Sequence, residues 1–233
     1  LKTKGKEKEA AKEKLYYSVN AELTSAAAEK AKSDGARQFI FMSSAIVYGN
    51  SAPIGKTKII TADTPVSPAN CYGDSKVQAE KRLKLLEDEN FKVVILRSPM
   101  IYGKGSKGNY PLLAKLALKL PFFPRVQNER SMLYIENLCE FVRLMIENEE
   151  SGTFFPQNSE YSNTSELVEM IAAAHGKKIK LIGGFTRLLK IMSCFTGLVN
   201  KAFGNLTYER SISDYKENYR VAELGDSVKR TEG

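Results

Sequence analysis

The chain has 233 residues, is 42% apolar and sets 35 lysines and arginines against 27 carboxylates, a net charge of +8. That length suffices for one large α/β domain or a domain with a small lobe, and no apolar run reaches the roughly 18 residues a membrane-spanning helix needs. Three scattered cysteines (Cys71, Cys139, Cys194) suit reduced cytosolic thiols better than a disulfide framework, and a single histidine, His175, leaves little material for a zinc site, so no metal is expected. Residues 1–14 hold six lysines and three glutamates, too charged for a secretory signal, and account for +3 of the excess. No basic patch is interleaved with aromatics, so no specific nucleic-acid partner is expected.

In chain order, "EKEAAKEKLYYSVNAELTSAAAEKAKSDG" reads as helix stopped by Gly35. "RQFIFMSSAIVYG" is a buried strand running into a turn of small residues, and "NSAPIGKTKIITADTPVSPAN" is loop. "YGDSKVQAEKRLKLLEDEN" is helical, and "FKVVILRSP" is an unbroken apolar strand suited to a parallel sheet buried on both faces. "NYPLLAKLALKL" is a further helix, and "NTSELVEMIAAAHG" is one capped by Asn163 or Thr164. His175, at its end, is expected to cap or to lie on the surface.

"FTRLLKIMSCFTGLVNKAFG" repeats apolar residues at helical spacing, at Leu188, Leu189, Met192 and Phe195, then Leu198, Val199, Ala202 and Phe203. Such a stripe packs on the domain or, with Arg187, Lys190 and Lys201 among it, lies on a membrane surface. The alternation of helix and strand argues for an α/β doubly wound sheet. The expected division is 1–108 as a Rossmann-like cofactor-binding and catalytic region and 109–233 as a mixed substrate lobe, some of whose segments return to the main domain.

Two motifs carry chemistry. Gly103-x-Gly105-x-x-Gly108 has the spacing of a dinucleotide-binding turn. Tyr72 and Lys76, four apart on a helix, share one face. A nearby ammonium favours a phenolate, and a phenol ordinarily near 10 must fall to act as a base. Ser43 and Ser44 end the preceding strand, at the edge where open parallel sheets bind ligands.

"FIFMSSAIVYGN", "YGDSKVQAEK", "LRSPMIYGKG" and "RSMLYIENL", in that order, resemble the extended short-chain dehydrogenase/reductase family, the NAD-dependent sugar epimerases and dehydratases. "YYSVNAELT" resembles the helix ahead of its serine strand. The resemblance implies NAD as cofactor and gives Ser44 a hydroxyl role toward substrate, Tyr72 the acid/base role, and Lys76 the roles of ribose contact and modulator of the tyrosine. It sets Asn20, Ser43 and Pro99 on the cofactor side, with Asn109 and a diphosphate-binding Arg130 on the substrate side. The family's cofactor turn follows its first strand, so Gly103–Gly108 is expected to be a coincidental match. The chain corresponds to the family pattern from roughly 75 residues in, past the first strand and its pyrophosphate-binding glycine turn, which suggests either a fragment or a degenerate form.

Ala45 and Ile46 stand where the family's 4,6-dehydratases carry an Asp-Glu pair, which argues against dehydration. Epimerisation through a 4-keto intermediate needs only reversible hydride transfer, in which the cofactor carries the chemistry. The expected substrate is a nucleotide-linked sugar of surface polysaccharide synthesis. Met100, where nucleotide-sugar epimerases often carry an asparagine, departs from the usual diphosphate contact. The alternatives are a sugar on a polyprenyl diphosphate, implied by the resemblance of the "GKGSKGNYPLLAKL" loop and the apolar 185–206 helix to a subgroup with such carriers, and a non-catalytic binding module. A cytoplasmic location is expected, with membrane contact through 185–206 and a homodimer through helices at about 8–34 and 72–90 as further readings.

Overall fold

The computed structural model describes residues 2–195 and 197–233, with side chains over 9–192 and 199–233. Phe195 and Leu198 of the apolar stripe, and Cys194, therefore lie outside the described side chains. In chain order the elements are α1 (Lys2–Tyr16), a π-helical stretch (Tyr17–Leu23), α2 (Thr24–Ser33), β1 (Gln38–Ser44), a 3-10 turn (Ala45–Tyr48), β2 (Ile59–Ile60), α3 (Cys71–Lys84), β3 (Lys92–Ser98) and β4 (Met100–Tyr102). There follow α4 (Asn109–Lys119), β5 (Phe122–Pro124), β6 (Met132–Tyr134), α5 (Ile135–Glu147), β7 (Gly152–Phe154), α6 (Thr164–Ala174) and β8 (Lys180–Ile182). The chain closes with α7 (Thr186–Phe195), α8 (Gly197–Phe203), β9 (Thr207–Tyr208), a second 3-10 turn (Arg210–Ser213) and α9 (Leu224–Glu232).

The chain forms two compact units, each built from separate stretches: residues 1–50, 63–98 and 142–155 in the first, and 51–62, 99–141 and 156–233 in the second. The first holds a three-stranded sheet in the order β1-β3-β7, parallel throughout, with Ser44 in register with Ser98 and Val94 with Gly152. β3 buries Val93, Val94, Ile95 and Leu96, as its unbroken apolar run requires in a sheet covered on both sides. β1 is less shielded, because Met42 remains 36% exposed. Phe41, Ala79, Leu83, Phe91 and Ile95 form a core between sheet and helices.

The second unit pairs β4 with β6, β5 with β8 and β2 with β9, all parallel. Its core gathers Tyr102, Leu113, Met132, Leu167, Ile171 and Phe203. α6 begins where the sequence suggests. Asn163 caps it, its side-chain oxygen accepting from the Ser165 and Glu166 amides, while its amide nitrogen donates to the carbonyls of Val126 (3.0 Å) and Asn128 (3.1 Å). Asn163→Ala removes the cap and takes one donor from each of the two carbonyls, so we expect a loss of about 1–2 kcal/mol, read as a lower midpoint in urea with unchanged slope.

The structure splits the apolar stripe at 186–203. α8 turns Val199 and Phe203 into the core, with Ala202 and Leu189 packed against it. Leu188, Ile191 and Met192 of α7 stay on the surface. His175 ends α6, its Nε2 2.7 Å from Glu232 Oε2.

Candidate active site

In the first unit, β1 delivers Ser43 and Ser44 to its carboxyl end. Ser44 there accepts from the Ile46 amide at 3.3 Å and starts the 3-10 turn. The turn is apolar, with Ala45 buried, so no carboxylate follows the serine. α3 rises next to it. Asn70 caps the helix by accepting from the Gly73 amide at 2.9 Å. Gly73 lets the first turn of α3 lie against the 3-10 turn, since a Cβ there would come within 2.9 Å of the Ile46 carbonyl oxygen and 3.1 Å of Pro68 Cβ. The serine turn and the tyrosine helix are thus brought together backbone to backbone.

Tyr72 is half-buried, its ring held by Tyr16 at 5.2 Å between centroids. Its hydroxyl has no hydrogen-bond partner among the described residues. Burial pushes the phenol above its ordinary value, and neighbouring Tyr16 adds to the rise. Lys76, one turn on, donates to the Met42 carbonyl at 2.9 Å and sits 4.7 Å from the Phe41 ring centroid. Burial pulls its ammonium down, opposed by the charge of Glu80. The lysine is thus engaged at the end of β1, and the activation expected from the Tyr72–Lys76 spacing is not expressed in this arrangement.

Asn20 lies in the π-helical stretch, where i→i+5 bonding replaces the α pattern. Its amide donates to Ser75 Oγ at 3.1 Å, and that hydroxyl donates to the Tyr72 carbonyl at 2.8 Å. Tyr17 donates to Asp74 at 2.8 Å, and this bond pushes its phenol up to about 12. Asn20 is therefore engaged in holding the first turn of α3.

Sequence reasoning passed over the strongest polar feature of this unit. Glu80 is 4% exposed and takes a two-pronged contact from Arg97, which is 13% exposed, with Nη2 to Oε2 at 2.6 Å and Nε to Oε1 at 3.1 Å. Ser43 donates to the same carboxylate at 2.5 Å, and Arg97 donates to the Tyr48 hydroxyl at 2.6 Å. The signal was legible. Arg97 is a charge directly after four apolar residues of a strand, and Glu80 continues the Tyr72–Lys76 face by one more turn; a charge buried there requires a partner.

In the second unit, Arg130 has its backbone pinned on both sides, by the Ser162 bridge and through Leu206. Its Nη1 donates to the carbonyls of Lys201 (2.5 Å) and Ala202 (3.4 Å). Burial pulls the guanidinium down, and no carboxylate offsets it. It lines a narrow cavity with Met100, Asn109, Thr164, Lys201 and Ala202. A largely buried cation whose partners are carbonyls retains an unmet attraction for an anion.

Gly103–Gly108 joins β4 to α4, with Gly105 and Gly108 at positive φ. β4 pairs with β6, outside the three-stranded sheet. Gly103 is required for packing, since a Cβ would run into the Ile135 side chain. Pro99 follows β3 directly. Among the described residues no group of His, Cys, Asp and Glu could hold a metal ion.

A parallel α/β sheet, with Ser44 ending β1 and Lys76 of α3 reaching the Met42 carbonyl, is the Rossmann-type fold of the short-chain dehydrogenase/reductases. The family model "NAD dependent epimerase/dehydratase family" matches residues 2–183. The chain belongs to that family. It is 35% identical over 177 residues to a UDP-glucose 4-epimerase of Vibrio cholerae, covering 73% of this chain and 53% of that protein. It is 29% identical over 199 residues to the N-acetyl-alpha-D-glucosaminyl-diphospho-ditrans,octacis-undecaprenol 4-epimerase of Escherichia coli O157:H7, covering 78% of this chain and 58% of that one. The chain thus spans a little over half the length of these curated relatives. Among solved structures, UDP-glucuronic acid 4-epimerase from Bacillus cereus, in complex with NAD, superposes with a TM-score of 0.68 at 17% identity, over 91% of this chain and 66% of that one. At that identity the likeness establishes the fold.

Proposed function

We propose that the chain carries the proton-transfer machinery of an NAD-dependent sugar 4-epimerase acting on a nucleotide-linked sugar. The observation that carries the reading is Tyr72, ring-packed against Tyr16 with its hydroxyl unclaimed, on a helix packed against the Ser44 turn. Ser44 would hold the sugar 4-hydroxyl. Tyr72 would take its proton and return it after the ketone has presented its other face. Bound NAD would supply hydride uptake and return. Ala45 and Ile46 leave no acid beside Ser44 to expel water, which supports epimerisation over dehydration.

The residues fit the nicotinamide end of the cofactor, where Lys76 would hold a ribose hydroxyl. For the pyrophosphate, the segments that follow β1, β3 and β7 open with Ala45, Pro99 and Phe155, none of them a glycine turn. We read Gly103–Gly108 as a packing turn and not as that cradle. A fluorescence titration of the 233-residue chain with NADH tests this fit. We expect no saturable binding at micromolar levels from a folded chain, and saturation would reopen the Gly103–Gly108 loop as a phosphate site.

The carrier is the second question. Arg130 would take a diphosphate, which both a nucleotide sugar and a polyprenyl-diphosphate sugar possess. Met100 in the Arg130 cavity and the Escherichia coli relative favour the polyprenyl alternative. Conversion of UDP-glucose to UDP-galactose by the protein with NAD supports the main reading. Turnover of only a polyprenyl-diphosphate sugar supports the alternative, and turnover of neither by protein that is shown to hold NAD overturns both.

A further inference from the structure

The outer face of α7 keeps large apolar side chains exposed to solvent. Phe185, whose carbonyl accepts the first helical bond from Leu189, is 36% exposed, and Leu188, Ile191 and Met192 are 51%, 59% and 43% exposed. At 100° per residue these four positions fall within one arc of about 120°. Arg187 and Lys190 are exposed on its flank. A soluble surface does not ordinarily present four large apolar side chains on one short helix.

The surrounding charge indicates what fits there. Between Glu169 and Glu209 the chain has no carboxylate, yet it carries Lys177, Lys178, Lys180, Arg187, Lys190 and Lys201. Lys178 and Lys180 are exposed. β8, which leads into α7, sets Lys180 in register with Phe122, itself 49% exposed. Apolar side chains bordered by cations, with no acid in the segment, are complementary to an anionic lipid surface, where the apolar face enters the headgroup boundary and the cations meet phosphates. No helix among the described residues is long and apolar enough to cross a membrane, so the contact is with the surface.

We propose that α7, with the basic segment before it, docks this protein reversibly on anionic phospholipid membranes. The proposal goes beyond the epimerase reading, and its assay needs no turnover, so either can fail alone. The test is cosedimentation of the full chain with phosphatidylcholine vesicles, with and without phosphatidylglycerol. We expect binding only to the anionic vesicles, weakening as salt is raised. Arg187→Gln should weaken it roughly fivefold, the effect of one basic side chain near such a surface. Leu188→Ser with Ile191→Ser, at exposed positions that leave the core intact, should abolish it with an unchanged circular dichroism spectrum. A folded wild-type chain that ignores anionic vesicles overturns the proposal, as does a double variant that binds as well as wild type. A dimer that the double variant dissolves, without vesicle binding, would assign the face to a second copy and overturn it too.

Discussion

Tyr72→Phe is expected to lower the epimerase turnover number by a factor of about 10² to 10⁴, the range a positioned acid or base contributes. The fold should be untouched, because the ring keeps its contact with Tyr16 at 5.2 Å and the lost hydroxyl has no hydrogen-bond partner among the described residues. Turnover and melting temperature therefore separate: the first collapses and the second stays. The pH profile adds a signed test. Burial raises the Tyr72 phenol, and the base is its deprotonated form. Turnover should climb with pH through the working pKa of Tyr72. Full turnover by Tyr72→Phe, or a turnover that does not climb with pH, would remove Tyr72 as the base.

Glu80→Ala is expected to destabilise the chain by about 3–5 kcal/mol, because it leaves Arg97 buried without its counter-charge. In a chain of this length that is a fall in melting temperature of roughly 10 °C. The Ser43 hydroxyl loses its acceptor, 2.5 Å away, in the same step. Exposed pairs such as Lys30–Asp34, with side chains 72% and 58% exposed, should cost less than about 1 kcal/mol when broken. The buried pair differs because removing one partner strands a charge that water cannot reach. Glu80→Met with Arg97→Met should therefore recover most of the loss, since apolar replacements of similar volume are often neutral. If the double variant is as unstable as Glu80→Ala, the pair's hydrogen bonds to Ser43 and Tyr48 hold the fold, and not its charge balance.

The pair also shows how sequence and structure divide the work. Alternating helical and apolar stretches, read locally, announced an α/β chain, and the structure sets β1 and β3 in the expected parallel register. The Asn163 cap was legible for the same reason, since a cap is a contact with residues two or three further on. Tyr72, Lys76 and Ser44 were legible as residue types at fixed spacings. The contacts those side chains make were not. The ammonium of Lys76 turns to the Met42 carbonyl, and Gly73 and Gly103 make their close approaches to Ile46 and Ile135, far away in sequence.

The stripe at 186–203 makes the same point within one segment. Its helical period was evident, yet the period of an amphipathic helix does not say which apolar side chains find a core. Val199 and Phe203 found one and Leu188 and Ile191 did not. By itself the sequence determined the fold class and the family, because those depend on local pattern and residue chemistry. Only the tertiary structure decided which charges are buried together, as Glu80 and Arg97 are, and which apolar faces remain open, because burial depends on residues brought together from distant parts of the chain.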